Sequence, residues 1–177
     1  MELNEINKNE KYISYIDYTT KRKYLFTLKD FKKIVENNLI KSYSYDIYPQ
    51  PQTLKNPYTN KEFTREELFK LNSIVYNSNM PIVWHMFVDC DYNIITLKNK
   101  YYNYLYEKCI SSYVDQIDDT DLVYYLKQIF SHYDISYCKK CIRQKININS
   151  IKVKKLINEW LYSVKTGKLM SIDYCDK

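Results

Sequence analysis

Cys138 and Cys141 make a C-x-x-C pair in "SYCKKCIRQ". Two thiolates at this spacing can hold one side of a tetrahedral zinc ion. A closed structural site needs two more ligands, and His132, Cys109, Cys90, Cys175 or His85 would have to supply them. None of these forms a second spaced pair, so zinc at Cys138 and Cys141 competes with the plainer reading of free thiols. A thioredoxin-like redox pair fits less well, because no strand and no Trp-Cys or Gly-Pro context surrounds the motif. Asp89 and Asp91 flank Cys90 in "VDCDY". Neighbouring carboxylates can bind a hard cation or exchange protons, but this spacing equally ends a helix and opens a turn. His85, in "VWHMF", lies among large apolar residues and is expected to be a hydrogen-bonded core histidine. With His85 and His132 the only histidines, no Ser-His-Asp or Cys-His arrangement stands out.

Other chemistries are excluded more firmly. Gly167 is the single glycine. Phosphate-cradling loops and nucleophile elbows need several glycines for close backbone approach, so P-loop, Rossmann and elbow-type chemistry are not expected. Asp115, Asp118, Asp119 and Asp121 cluster in "VDQIDDTDL". An EF-hand loop would require a glycine at its sixth position and a terminal glutamate, and both are missing. These carboxylates suit the positive end of a following helix instead. No catalytic residue is assigned.

Charge is distributed unevenly. Between Cys138 and Lys168 stand Lys139, Lys140, Arg143, Lys145, Lys152, Lys154, Lys155, Lys165 and Lys168, opposed by Glu159 alone. That stretch carries a net +8, which exceeds the +6 of the whole chain. Such a segment is either a solvated lysine-rich surface or a face for nucleic acid or an acidic partner. Tyr137 and Arg143 could add stacking, although no RRM, KH or helix-turn-helix signature accompanies them. The candidate contact residues are Lys139, Lys140, Arg143, Lys145, Lys152, Lys154 and Lys155.

The elements that position these groups are announced by caps. "FTREEL" offers Thr64 as N-cap, Glu67 to complete a capping box, and Phe63 with Leu68 as a hydrophobic staple. "FTLKDF" repeats the grammar with Thr27 and Asp30, "IDDTDL" with Asp118 and Asp121, and "INSIKV" with Asn149. Apolar stripes at helical spacing follow. One runs through Leu28, Phe31, Ile34, Val35 and Leu39. A long one joins Leu97 to Ile117, and another runs from Leu122 to Phe130. The cleanest comprises Val153, Leu156, Ile157, Trp160, Leu161 and Val164, with Lys152 and Lys155 on its flanks and Lys154 pointing away. "MPIVWHMFVDCDY" reads as a short helix begun by Pro81. "YISYIDY" and "KYLFT" read as a hairpin, and "SYSYDIYPQPQ" as a traversing loop. The expectation is a mainly α, α+β chain: one domain over 1–177, with a hairpin at about 11–27, a helical core at about 28–135 and a basic segment at about 138–168. The polar start "MELNEINKNEKY" does not read as a signal peptide, and no run approaches a membrane span, so a non-secreted protein with reduced thiols is expected.

The order of these elements, with Asn56, Pro57, Tyr58, Thr59, Asn60 and then Phe63 as its most specific piece, resembles a class of uncharacterised proteins of the large nucleocytoplasmic DNA viruses, especially mimivirus-like giant viruses. The resemblance covers roughly Tyr24 to Val114. It implies a viral origin, in keeping with 21 tyrosines and no alanine, a usage that follows from AT-rich codons. It implies a place in the virion or in the viral factory of the host cytoplasm, and it implies no activity. The function expected is therefore a non-enzymatic interaction or virion-associated domain with a basic face. A small zinc-dependent module of viral transcription or processing, built on Cys138 and Cys141, is the alternative.

Overall fold

A computed structural model describes residues 11–17, 20–43, 47–132 and 150–166. Among them are a two-stranded antiparallel hairpin, β1 (Tyr12–Asp17) and β2 (Arg22–Thr27), and seven helices. The helices are α1 (Leu28–Leu39), α2 (Arg65–Val75), α3 (Ile82–Asp89), α4 (Ile94–Lys100), α5 (Tyr102–Gln116), α6 (Asp119–His132) and α7 (Ser150–Thr166). The chain is mainly helical, as expected. Its packing divides it into two compact units, Met1–Leu105 and Tyr106–Lys177.

In the first unit the hairpin pairs Tyr12 with Thr27 and Asp17 with Arg22 at its ends. Alternation along β1 buries Ile13, Tyr15 and Asp17 and exposes Ser14 and Ile16, so one face of the ribbon is committed to the core. β2 runs directly into α1. Thr27 is extended, and its hydroxyl accepts the Asp30 N–H at 3.0 Å. α1 then packs Phe31, Val35 and Leu39 inward. The centre of the unit is Trp84, fully buried, with its ring edge-on to Phe31 at 5.3 Å and to Phe87 at 6.4 Å. Trp84 Nε1 donates to Asn72 Oδ1 at 3.0 Å, which satisfies the one polar atom the ring brings inside.

α2 carries the full capping box. Thr64 Oγ1 accepts the Glu67 N–H at 3.3 Å, and Glu67 Oε2 accepts the Thr64 N–H at 2.8 Å. Phe63 and Leu68 are both buried beside the cap, as a staple requires. Thr64→Ala should lower stability by about 1 kcal/mol, since the Glu67 N–H loses its acceptor. Urea unfolding at constant slope measures this directly.

Two expectations are corrected here. The stripe from Leu97 to Ile117 is carried by two helices, because the chain leaves helical geometry at Tyr101, with φ −116° and ψ 26°. Asn93 Oδ1 caps the first of the pair through the Thr96 N–H at 2.9 Å. Periodicity passes through such a break when the flanking residues keep facing the same core. His85 is the second correction. α3 buries Val83, Trp84 and Phe87, and at 100° per residue His85 then falls on the exposed side.

The second unit holds the remainder of α5 with α6 and α7. Leu122 N–H donates to the Asp118 carbonyl and Asp121 N–H to the Asp118 carboxylate at 2.9 Å, so Asp118 caps α6 as its sequence suggests. Cys109, Ile110, Val114, Leu122, Ile129, Ile157 and Leu161 are buried. Asn158 Nδ2 donates to Ser111 Oγ at 3.0 Å, and the Tyr113 and Tyr125 hydroxyls meet at 2.8 Å, which ties α7 to α5 and α5 to α6.

Candidate functional site

α7 is the described part of the basic segment. Its stripe is covered along the middle, where Ile157 and Leu161 are buried and Val153, Leu156 and Trp160 partly so. Val164 departs from expectation: in the final turn it is 50% exposed. Lys152 and Lys155, one turn apart, are both exposed. Glu159 lies 4.0 Å from Lys155 in an exposed i, i+4 pair that contributes little. Lys154 does not point away into solvent. It is half-buried, and its Nζ donates to the Asp115 carbonyl at 2.8 Å near the C-terminus of α5, where a cation is favoured. It therefore anchors α7 and leaves the candidate contact face. Lys139, Lys140, Arg143, Lys145, Cys138, Cys141 and the Asn149 cap lie outside the described residues.

The turn between α3 and α4 holds the paired aspartates, and they are separated rather than convergent. Asp91 faces α2, with Arg65 Nη2 at 2.7 Å. Asp89 faces α4, accepting from Lys100 Nζ at 2.6 Å and from the Tyr101 hydroxyl. Asp91 and Tyr92 both have positive φ, 52° and 60°, which turns the backbone sharply between the helices. The Lys100 hydrogen bond, and after it the Tyr101 hydroxyl, holds the Asp89 carboxyl below its ordinary value. The same bond raises Lys100. A depressed carboxyl stabilises the fold above its unfolded-state pKa, and that contribution is lost as pH falls through the depressed value. In an NMR titration the Asp89 carboxyl should therefore titrate below the ordinary aspartate value. Lys100→Met should move it back toward the ordinary range.

Cys90 and Cys109 are buried, reduced thiols. Burial raises both, Cys109 to about 11. Among the described residues no three His, Cys, Asp or Glu side chains come together as a metal site.

A third place was read in the sequence as a turn and carries more than that. Asn56 is buried. Its Oδ1 accepts the Tyr58 N–H at 2.9 Å, while its own N–H donates to the Lys61 carbonyl at 2.8 Å. Asn60 takes φ 57° to close the reversal, and Lys55 bridges Glu62 across it. The Tyr58 hydroxyl reaches back to the Leu25 carbonyl on β2 at 2.8 Å. Beside this turn, a cavity of about 200 Å³ is lined by Tyr15, Asp17, Asn56, Lys61 and Glu67 among others. Its polar groups are used internally. The Tyr15 hydroxyl donates to Glu67, and Asp17 accepts from Thr20 N–H and Oγ1. Burial, reinforced by Glu67, raises the Tyr15 hydroxyl far above its usual value. Nothing in Asn56 to Asn60 signalled the tie to Leu25, because the partner lies 33 positions away in sequence.

No protein-family model, curated protein or solved structure matches the chain. No helix among the described residues is long and apolar enough to cross a membrane.

Proposed function

We propose that the protein is a non-enzymatic interaction domain that presents a basic face to nucleic acid. One observation carries this reading. Within the stretch from Cys138 to Lys168, which carries a net +8, the helix α7 turns Ile157 and Leu161 inward and leaves Lys152 and Lys155 exposed along one side. Lysines arranged this way neutralise phosphates without reading bases, since a point charge on a flexible stem has no bidentate geometry. Binding is then nearly independent of sequence and driven by release of counterions. A setting in the virion or viral factory of a giant virus rests on the resemblance carried by Asn56 to Asn60 and Phe63.

Fluorescence anisotropy with a short DNA duplex tests the reading across a salt series. Affinity should fall steeply with salt. Replacing Lys139, Lys140, Arg143 and Lys145 together by Gln should flatten the slope of log K against log salt by up to about 3 to 4, at roughly 0.9 for each phosphate no longer neutralised. The fold should be retained in this variant. No affinity for DNA or RNA at about 50 mM salt, where such interactions are strong, defeats the reading. So does a quadruple variant that binds as wild type.

A further inference from the structure

Tyr58 is held at both ends and yet stands in water. Asn56 Oδ1 accepts its backbone N–H at 2.9 Å, and its hydroxyl donates to the Leu25 carbonyl at 2.8 Å. Its ring lies nearly parallel to those of Tyr24 and Phe26, at 16° and 22°, with centroids 5.5 and 5.7 Å away. Tyr24 and Phe26 are alternate residues of β2 and so project from one face of the strand. Tyr58 lies over both and ends the stack, since the ring is 63% exposed. A surface tyrosine ordinarily turns freely. This one is fixed, so a flat group landing on it has little side-chain motion to suppress.

The ring borders a cleft of about 370 Å³, lined also by Phe26, Pro57 and, on α1, Lys33, Ile34 and Asn37. Small-molecule sites begin at about 300 Å³, so the cleft has room for one small planar group. Lys33 and Asn37, one turn apart, are both exposed. Asp30 lines the cleft as well, and its carboxylate accepts the Thr27 hydroxyl at 2.7 Å as part of the α1 cap. One ammonium and one carboxylate leave the cleft without net charge. Its distinctive offer is a rigid aromatic face with an amide and an ammonium nearby.

We propose that this cleft takes one nucleobase of a single-stranded nucleic acid, stacked on Tyr58. A base extends the parallel series that Tyr24, Phe26 and Tyr58 begin. Every base has such a face, so the contact is tolerant of sequence. The Asn37 amide both donates and accepts, which suits the edge of a base. The Lys33 ammonium, a point charge on a flexible stem, serves the adjoining phosphate. A duplex cannot use the site, because its bases are stacked on one another and must be unpaired to present a face. A proline-rich peptide also packs on aromatic clefts, but the parallel rings and the ammonium favour a base. The site rests on the reading of the protein as a nucleic-acid-binding domain and uses no residue of the basic segment.

Fluorescence anisotropy on the full chain tests it, with a labelled single strand of about 12 nucleotides, inside the range that single-strand sites span, and with the matching duplex. Far-UV circular dichroism confirms that each variant is folded. Tyr58→Leu keeps an apolar group over Tyr24 and Phe26 but removes the stacking face. It should weaken single-strand binding roughly 5- to 150-fold, the effect of one lost base–aromatic contact, and leave duplex affinity unchanged. Tyr58→Phe loses the Leu25 hydrogen bond and keeps the ring, so it should bind nearly as wild type. Lys33→Gln should lower the single-strand salt slope by about 0.7, one phosphate's worth. An NMR titration of wild type with adenosine monophosphate needs no variant, and the Tyr58 ring protons should move. A folded Tyr58→Leu that binds the single strand as wild type overturns the site while leaving the basic face standing. Loss of duplex binding alone, with the Tyr58 effect intact, defeats the basic face and leaves the site. The site is also overturned by equal losses of single-strand and duplex affinity in Tyr58→Leu, or by Tyr58 ring protons that move with a proline-rich peptide and not with the mononucleotide.

Discussion

Trp84→Ala should lower the stability of the protein by about 3–5 kcal/mol, a large share of the 5–15 kcal/mol that holds a typical domain folded. Trp84 has no solvent exposure, and its ring meets Phe31, Phe87 and Tyr92. These come from α1, from α3 itself and from the turn after it, so truncation opens a cavity that no single element can close by shifting. The indole N–H adds a second loss, since Asn72 Oδ1 loses its donor. Trp84→Phe separates the two contributions: it keeps an aromatic body and removes only the hydrogen bond and part of the volume, so it should cost much less. Urea denaturation followed by far-UV circular dichroism reads both. A cost below about 1 kcal/mol for the alanine variant, the size of an ordinary surface change, would remove Trp84 from the centre of the core.

Asn56→Leu is the second large effect, about 1–3 kcal/mol, and its origin is polar rather than volumetric. Leucine approximates the size of asparagine but offers no acceptor to the Tyr58 N–H, which is held at 2.9 Å in the native turn. With that turn loosened, the Tyr58 hydroxyl loses its fixed approach to Leu25 on β2. The variant should therefore raise amide exchange at Leu25 and its neighbours as well as lower the unfolding midpoint. Asn60→Gly is the internal control. It keeps every hydrogen bond of the turn and suits the positive φ at that position, so it should change stability by no more than a few tenths of a kcal/mol. If Asn56→Leu proved as harmless as Asn60→Gly, the asparagine would be an ordinary loop residue.

The features legible in the sequence were those decided within a few residues. Thr27, Thr64 and Asp118 cap helices because the hydroxyl or carboxylate that accepts and the N–H that donates are three positions apart, and only local geometry is involved. The reversal at Asn60 belongs to the same class. What escaped was decided by neighbours distant along the chain. His85 is exposed because Trp84 and Phe87 face the core, and their residue types alone do not say which side of α3 will be covered. Lys154 lay off the apolar stripe in projection, yet the Asp115 carbonyl draws its ammonium back to the protein. Tyr101 ends α4 although the apolar spacing runs straight through it.

Five described residues other than glycine hold the backbone in the left-handed region: Lys21, Ile47, Asn60, Asp91 and Tyr92. The only glycine of the chain, Gly167, is at none of these corners. A β-carbon there raises the energy of the native turn relative to glycine, least at Asn60 and Asp91, whose short polar side chains tolerate this region. It also narrows the range of conformations open to the denatured chain, so less freedom is surrendered on folding. The corners are therefore stiff as well as tight. Without a glycine swivel, the joint between α3 and α4, which holds Asp91 and Tyr92, resists bending. For the interaction domain proposed above, such joints favour recognition by a surface already in its bound shape over recognition by refolding around a partner.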